Sequence, residues 1–316
     1  MEKSEPAFTF RAAQVFVAVV DAQSVTRAAH RLGMAPSSVS QQLTTLEGAL
    51  GAKLIERSAR QFRVTRAGEV FLPAAKALLD DVSAVKARLV LADQAPPMVV
   101  RIASIEELDA TVVAPWLLRL RARFPNVTTT LSSGASHENH DALASRSVDL
   151  TLSVDTVAEV DWVEQHPILR DPFVLVTAPG VAPDAILTRP FVRYGSELQI
   201  GRQIEAQLRR SGVIPPRGFE FSTNQALFAM TAELGGWAIT TALAVLGTPR
   251  SAELVQAHAL PVPMFARRLA LHARAGALGD LPAQMAEDIR GCLQDRIVSV
   301  ADARLPFLDK GTTILR

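Results

Sequence analysis

The stretch from Ser24 to Leu50, SVTRAAHRLGMAPSSVSQQLTTLEGAL, holds two short helical patterns joined by a single glycine. Val25, Ala28, Ala29 and Leu32 fall on one helical face, and Ser24 before them is a good N-cap. Gly33 supplies a turn that needs positive φ. Pro36 suits the first turn of the next helix. There Val39, Leu43, Leu46 and Leu50 recur at spacings of four, three and four, again one face of a helix. Upstream, Ala12, Val15, Phe16 and Val19 mark a first helix of the same kind. Three helices this short cannot each bury a stripe alone, so they must pack together, the last two joined by a tight turn. That is the helix-turn-helix arrangement.

The outer face of the third helix carries Ser37, Ser38, Ser40, Gln41, Thr44 and Thr45. A helix made only for solvation usually carries Glu and Lys pairs. Short uncharged groups that donate and accept suit base edges and phosphates in a major groove. The local charge agrees. Phe10 to Val70 holds eight basic and four acidic residues, a balance of +4, whereas the whole chain carries only +1. LIERSARQFRVTRAG reads as a small hairpin with strands Leu54–Arg57 and Phe62–Thr65. Arg57, Arg60 and Arg63 fall near its tip, where a wing reaches phosphates or a minor groove. A three-helix knob with a polar face would also serve as a protein-docking module; the basic wing favours DNA.

The run Phe10, Phe16, Val19, Ser24-Val25, Ala28-Ala29, Leu32, Ser38-Val39-Ser40-Gln41-Gln42-Leu43, Leu46-Glu47, Leu50-Gly51, Leu54-Ile55-Glu56-Arg57, Val64-Thr65-Arg66-Ala67-Gly68 resembles the DNA-binding domain of LysR-type transcriptional regulators over about sixty positions without a gap. The resemblance implies a winged helix-turn-helix over 8–66, then a linker helix, then a two-lobed effector domain. It implies DNA contacts from Ser24, Thr26, Arg31 and Pro36 and from the outer face of the third helix, with the wing arginines on phosphate. Two positions depart from the family pattern. Ala35-Pro36-Ser37 stands where Ser-Gln-Pro often enters the recognition helix, and Ile55 replaces the usual phenylalanine of the wing.

From Thr65 a helical pattern continues to about Asp93. Phe71, Ala75, Leu78, Val82, Val85 and Leu89 follow alternating spacings of four and three, an a/d seam that seeks a second helix. The alternative is a helix packed on its own domain. Pro73 lies inside the pattern and should kink its first turns. Pairing serves DNA reading, because two recognition helices on a two-fold axis read paired half-sites. The resemblance implies homodimers through this helix and assembly into homotetramers. ADQAPPMVV ends the segment, which we bound at 67–96, and Pro96-Pro97 makes a stop and a hinge.

Beyond Val99 short β-like runs (VVRIAS, VTTTLS, DLTLSV, PFVLVTA) alternate with helical ones (ATVVAPWLLRLRARF, HENHDALAS, QIEAQLRRSG, NQALFAMTAEL), which argues α/β units. The fold class is therefore α/β overall. The resemblance implies a periplasmic-binding-protein-like domain over 97–300, with lobe one at 97–169 and 262–300, lobe two at 170–261, and a peripheral tail at 301–316. Ligands in such lobes sit beyond the carboxyl ends of strands, near helix N-termini. The candidates are Ser104 and Glu106 after the first strand, Ser136 after TTTLSSGA, Tyr194 and Ser196 after FVRY, and Thr240 after GGWAI.

In the family, small hydroxylated residues often hold a carboxylate effector at the positions of Glu106 and Ser136. A glutamate at 106 repels a carboxylate unless it points away as a helix-start acid. If it lines the cleft, the effector is cationic or a hydrogen-bond donor. Leu234, Gly236 and Thr241 also replace a G-x-G…P pattern in lobe two.

Other chemistry finds little support. One cysteine, Cys292, excludes a disulfide framework and reads as packed. His137 and His140 lack a well-spaced third ligand, so the polar start of a surface helix is the simpler reading, and no metal or cofactor is expected. The three tryptophans (116, 162 and 237) read as core. No phosphate loop, nucleophile elbow or HExxH stands out. The first residues lack the apolar core of a signal peptide, and no apolar run approaches a bilayer span. These readings describe a cytoplasmic, non-enzymatic, ligand-responsive regulator. Its partners are double-stranded DNA, a small-molecule effector and copies of itself, with the transcription machinery as a further partner and no membrane. The alternatives are a small-molecule-binding protein or an enzyme using the same cleft.

Overall fold

The computed structural model describes residues 8–58, 61–91, 98–155, 160–215, 218–308 and 311–315. Helix α1 (Phe10–Ala22) starts at Thr9, whose hydroxyl accepts from the Ala12 N–H. Helix α2 (Val25–Leu32) starts at Ser24, whose Oγ accepts from the Arg27 N–H at 3.3 Å. It stops at Gly33, whose φ of 62° lies where a β-carbon is disfavoured. Helix α3 (Pro36–Leu50) follows with Pro36 in its first turn. Val15, Phe16, Val19, Ala28, Ala29, Val39, Leu43 and Leu46 form the core between them, as their spacing required. Leu50, expected inside, is exposed. It is the last residue of α3, and Glu47 takes the inward place one turn earlier.

The wing strands are β1 (Ile55–Ser58) and β2 (Gln61–Val64), antiparallel, with Ile55 opposite Val64 and Ser58 opposite Gln61. Each strand sits within one residue of the hairpin read from the sequence. Helix α4 (Arg66–Leu91) then runs for 26 residues through Pro73. Gly68 in its first turn lies so close to the Leu54 carbonyl that a β-carbon would collide with it, which seats the helix against the wing. The expected hinge at Pro96-Pro97 lies outside the described residues.

In the remaining chain, β3 (Met98–Ser104) leads through a short helix α5 (Glu106–Leu108) and a π-helical turn (Asp109–Val113) into α6 (Ala114–Arg123). Then come β4 (Val127–Ser133), α7 (Ser136–Ala144) and β5 (Leu150–Val154). Strand β3 pairs in parallel with both β4 and β5, the βαβ arrangement that the alternating texture implied. Strand β6 (Val163–Thr177) is fifteen residues long. Only its second half, PFVLVTA, reads as a strand in the sequence, because the first half, VEQHPIL, is polar and holds a proline.

Lobe two contains a 3₁₀ turn (Pro183–Thr188), β7 (Arg193–Tyr194), α8 (Gln199–Arg210), β8 (Glu220–Phe221), α9 (Asn224–Glu233) and β9 (Trp237–Thr241). It ends with α10 (Ala242–Gly247), α11 (Pro249–Ala252) and β10 (Gln256–His258). Strand β11 (Ala266–Arg274) returns to lobe one, followed by α12 (Leu281–Leu293), a π turn (Gln294–Val298), α13 (Ser299–Arg304), a 3₁₀ turn (Pro306–Leu308) and β12 (Thr313–Ile314). The main sheet runs β10-β6-β11-β5-β3-β4, with β9 and β12 also on β6. The first part of β6 pairs with β11 in lobe one, and its last residues pair with β9 and β10 in lobe two.

Two expectations need correction here. Within the segment expected to be a peripheral tail at 301–316, Ala301, Leu305 and Leu308 are buried in the effector-domain core, and β12 pairs with Leu169 and Arg170 of β6. Their apolar spacing is short and broken by Asp302, Arg304 and Pro306, which hides it. Trp116 and Trp237 are buried as expected, but Trp162 is 45% exposed in the turn before β6. Cys292 is buried on α12, and burial pushes its thiol up from its ordinary range. Among the described residues there are three apolar clusters: one under the helix-turn-helix, one through both lobes and a small one of Ala103, Leu143 and Val148; α4 enters the first two. Ala75 and Leu79 belong to the first, Ala87 and Val90 to the second.

Candidate DNA interface and effector cleft

Helix α3 turns Ser37, Gln41, Thr44 and Thr45 outward, with Pro36 exposed at its start and Ser38 and Ser40 half-buried. The hydroxyls of Thr44 and Thr45 donate to the carbonyls of Ser40 and Gln41, each at 3.0 Å. Their oxygens keep acceptor capacity toward an outside partner. Thr26 is exposed, while Ser24 has its oxygen committed to capping α2. Arg31 is exposed, but it also lines a cavity of about 340 Å³ between α1, α4 and lobe one. Arg63 is exposed opposite Glu56 on the wing. Arg57 contributes its backbone to β1; its side chain and the whole of Arg60 lie outside the described residues.

The sequence reading missed Glu47, counted there only as a charge. Its Oε1 accepts from the N–H groups of Leu54 and Ile55 at 3.0 and 3.3 Å, and its Oε2 accepts from Lys53 at 2.8 Å. Burial works to raise its carboxyl, yet the lysine and the two backbone donors outweigh that and hold it below the ordinary glutamate value. Glu47 thereby ties α3 to the start of the wing.

The a/d seam of α4 divides. Phe71 meets Phe8 edge-on and Phe16 at a tilt, and Ala75 is buried, so these two serve the helix-turn-helix core. The aromatic contacts of α1 claim the first turns of α4. Further along, Leu78 and Val85 are 40% and 54% exposed, with Val82 and Leu89 half-buried. The opposite side of α4 meets lobe one through Asp80. Its carboxylate takes Arg146 at 2.5 and 2.9 Å and Arg274 at 3.4 Å. Arg146 adopts φ of 55°, a left-handed conformation that a non-glycine residue rarely takes, directly after α7.

Between the lobes lies a cleft of about 500 Å³. Of the residues picked from sequence, Glu106, Ser136 and Tyr194 line it. Ser104, Ser196 and Thr240 do not line it. Ser104 is buried behind it, its hydroxyl on the Ile105 carbonyl and beside Asp109. Thr240 is buried behind Tyr194, with the two hydroxyls 2.6 Å apart. Ser196 is exposed outside the lining. For Ser104 and Thr240, both on strands, side-chain direction decides: successive strand residues point to opposite faces. Ser136 does not cap α7; its hydroxyl accepts from the Val154 N–H at 3.2 Å, and Ala135 holds the cap position.

Several lining groups escaped the sequence. Arg267 sits nearly fully buried, donating to Asp171 at 2.9 Å, to Glu107 at 3.0 Å and to Thr241 at 3.3 Å. Burial alone would lower its guanidinium, but Asp171 and Glu107 keep it above its ordinary value. The strand ARRLALHAR carries three arginines, Arg267, Arg268 and Arg274, so nothing in the sequence singled out Arg267. Asn224, the first residue of α9, accepts from the Tyr194 hydroxyl at 2.5 Å. Its backbone N–H lies near Glu106 across the cleft and works to lower that carboxyl. Burial and the nearby Glu107 raise the Glu106 carboxyl against that pull. Asp109, bonded to Ser133, is likewise raised by burial. Thr241 caps α10.

His140 reaches Ser153 at 2.9 Å and stands edge-on to His272 with ring centroids 4.9 Å apart, so its role is packing within lobe one. Among the described residues no three metal-ligating side chains gather, and no helix is long and apolar enough to cross a membrane.

Residues 10–69 match the family model for the bacterial regulatory helix-turn-helix protein, lysR family, and residues 93–287 match the LysR substrate binding domain. The chain belongs to the LysR family. Among its LysR-family relatives, CrgA of Neisseria meningitidis is 32% identical over 138 residues, 44% of this chain and 45% of CrgA. A transcriptional repressor of Pseudomonas aeruginosa is 31% identical over 48% of this chain and 47% of its own length. The chain therefore spans about half the length of these curated relatives. The match to YfeR of Shigella flexneri, an HTH-type transcriptional regulator, is longer, at 26% identity over 81% of this chain and 85% of that one. In fold the chain is similar to a full-length OxyR variant from Pseudomonas aeruginosa (TM-score 0.64, 20% identity, 90% of this chain and 95% of that one). It is also similar to full-length CbnR, solved with its target DNA (TM-score 0.51, 17% identity, 90% of this chain and all of CbnR).

Proposed function

We propose that the protein is a DNA-binding transcriptional regulator of the LysR type, controlled by a small molecule in the inter-lobe cleft. The observation that carries this reading is the outer face of α3. It is uncharged and polar, and it is held by Glu47 to a basic wing within a domain matching the family's helix-turn-helix. Ser37, Ser38, Ser40, Gln41 and Thr44 read the groove, and Arg63 with the other wing arginines holds phosphate. Leu78, Val82, Val85 and Leu89 form the seam along which α4 pairs with a second copy, and the dimers associate into tetramers. Ligand binding moves the lobes relative to one another, and α4, shared by the two larger cores, passes that movement to the DNA-binding end. The protein works on chromosomal DNA in the cytoplasm, without an enzymatic step.

The test is fluorescence anisotropy of the purified chain on tiles of its own upstream DNA at several salt concentrations. Tight binding to one tile with a steep loss in salt supports the reading. Equal weak binding to every tile leaves only charge attraction, and no binding at low salt refutes it.

A further inference from the structure

The start of a helix offers free N–H groups and a positive dipole end, a ready seat for a carboxylate. Two helices begin at the cleft, α7 at Ser136 in lobe one and α9 at Asn224 in lobe two. An acid of the chain stands at each of them. Glu138 turns back so that its Oε2 accepts from the Ala135 N–H at 2.8 Å. Glu106, carried by lobe one, stands near the Asn224 N–H at the start of α9 in lobe two. An anionic ligand at either helix start would meet their charge.

We infer that the cleft takes a ligand with a cationic head, an ammonium, amidinium or guanidinium, on a small apolar body. This deepens the reading of the cleft as the effector site and rests on it. Among the described lining residues the charged groups are Glu106, Glu107, Glu138 and Glu197 against Arg267, with His137 the remaining titratable group. Arg267 is already spent, because Asp171 and Glu107 both bind it. Three carboxylates remain without a counter-cation in the lining. A carboxylate has several acceptor sites, so Glu106 can face Asn224 and a ligand donor together. Ile105, Val154, Leu198 and Ile200 supply the apolar wall beside these acids. The cavity, about 500 Å³, is in the range of small-molecule sites. The upward push on the Glu106 carboxyl, from burial and Glu107, is the strain a bound cation relieves.

The test uses two probes of nearly the same shape and opposite charge, benzamidine and benzoate, titrated calorimetrically into the full chain. Benzamidine is expected to bind about ten-fold or more tighter than benzoate, which corresponds to about 1.4 kcal/mol. Glu106→Gln and Glu197→Gln, near-isosteric changes in the cleft lining, should each weaken benzamidine about five-fold or more, and Glu197→Lys should narrow or invert the preference. Benzoate binding as tightly as benzamidine, neither probe binding, or a benzamidine affinity untouched by both glutamine substitutions overturns the inference. The same preparations are assayed on upstream DNA. Intact DNA binding with no cation preference refutes the ligand class alone, whereas loss of DNA binding in the wild type refutes the regulator reading beneath it.

Discussion

Replacing Glu47 tests the link between recognition helix and wing. Its Oε1 satisfies two backbone N–H groups, those of Leu54 and Ile55, both residues being almost wholly buried. In Glu47→Ala neither donor has a partner, and each buried unsatisfied donor costs about 1–3 kcal/mol. The lysine pair adds little, because Lys53 is largely in water. The total is about 3 kcal/mol, or about a hundred-fold in the local opening equilibrium. Glu47→Gln keeps an acceptor oxygen and loses only the charge assistance, about 1 kcal/mol. Hydrogen exchange on the full chain reads this directly: protection at Leu54 and Ile55 should fall about a hundred-fold in the alanine variant and about five-fold in the glutamine variant. The pH dependence follows from the lowered carboxyl. Its contribution is complete above the ordinary glutamate value and is lost as pH falls through the lower value of the folded state. Unchanged protection in Glu47→Ala would refute the account of the wing anchor.

Other outcomes follow from the same geometry. Asp80→Asn leaves Arg146 and the buried Arg274 without their shared carboxylate, so the contact between α4 and lobe one should weaken by about 2–4 kcal/mol; faster exchange of the amides at the end of α7 measures it. His272, desolvated in lobe one and facing His140, is pushed down to about 3 and stays neutral in the fold. Below its ordinary value of 6.5 the unfolded chain binds a proton that the folded chain does not, so stability falls with falling pH, by up to about 1.4 kcal/mol per unit. Urea midpoints across that range should slope less steeply in His272→Gln. Leu78→Asp with Val85→Asp should shift sedimentation toward the monomer while leaving the fold's circular dichroism unchanged, because both side chains are exposed within one chain.

What the sequence made legible was local periodicity. The faces of α1, α2 and α3, the hairpin and most strands follow from spacing, capping and turn residues within a few positions. What it hid depends on distant partners. Asp80 meets Arg146 from 66 residues away, and Arg267 meets Glu107 from 160. Nothing in those charges taken singly distinguishes them from solvated ones. Strand β6 was half legible because its polar half is held by pairing with β11 and not by an apolar run. At the cleft, the sequence located strand ends and helix starts but not side-chain direction, so Glu106, Ser136 and Tyr194 face the cavity while Ser104 and Thr240 face away from it. The open choice for Glu106, cleft or helix start, resolves to both: it begins α5 and lines the cavity.

The central claim is that the outer face of α3 reads base sequence. Gln41 and Ser37 are exposed there, and neither belongs to the core of the domain. The decisive measurement is the ratio of affinities for the operator tile and a scrambled duplex, in the wild type and in Gln41→Ala with Ser37→Ala, at fixed salt. The account predicts that the variant loses about 1–3 kcal/mol on the operator and almost nothing on the scrambled duplex, with the salt slope unchanged. An equal loss on both duplexes, or none on either, would contradict it.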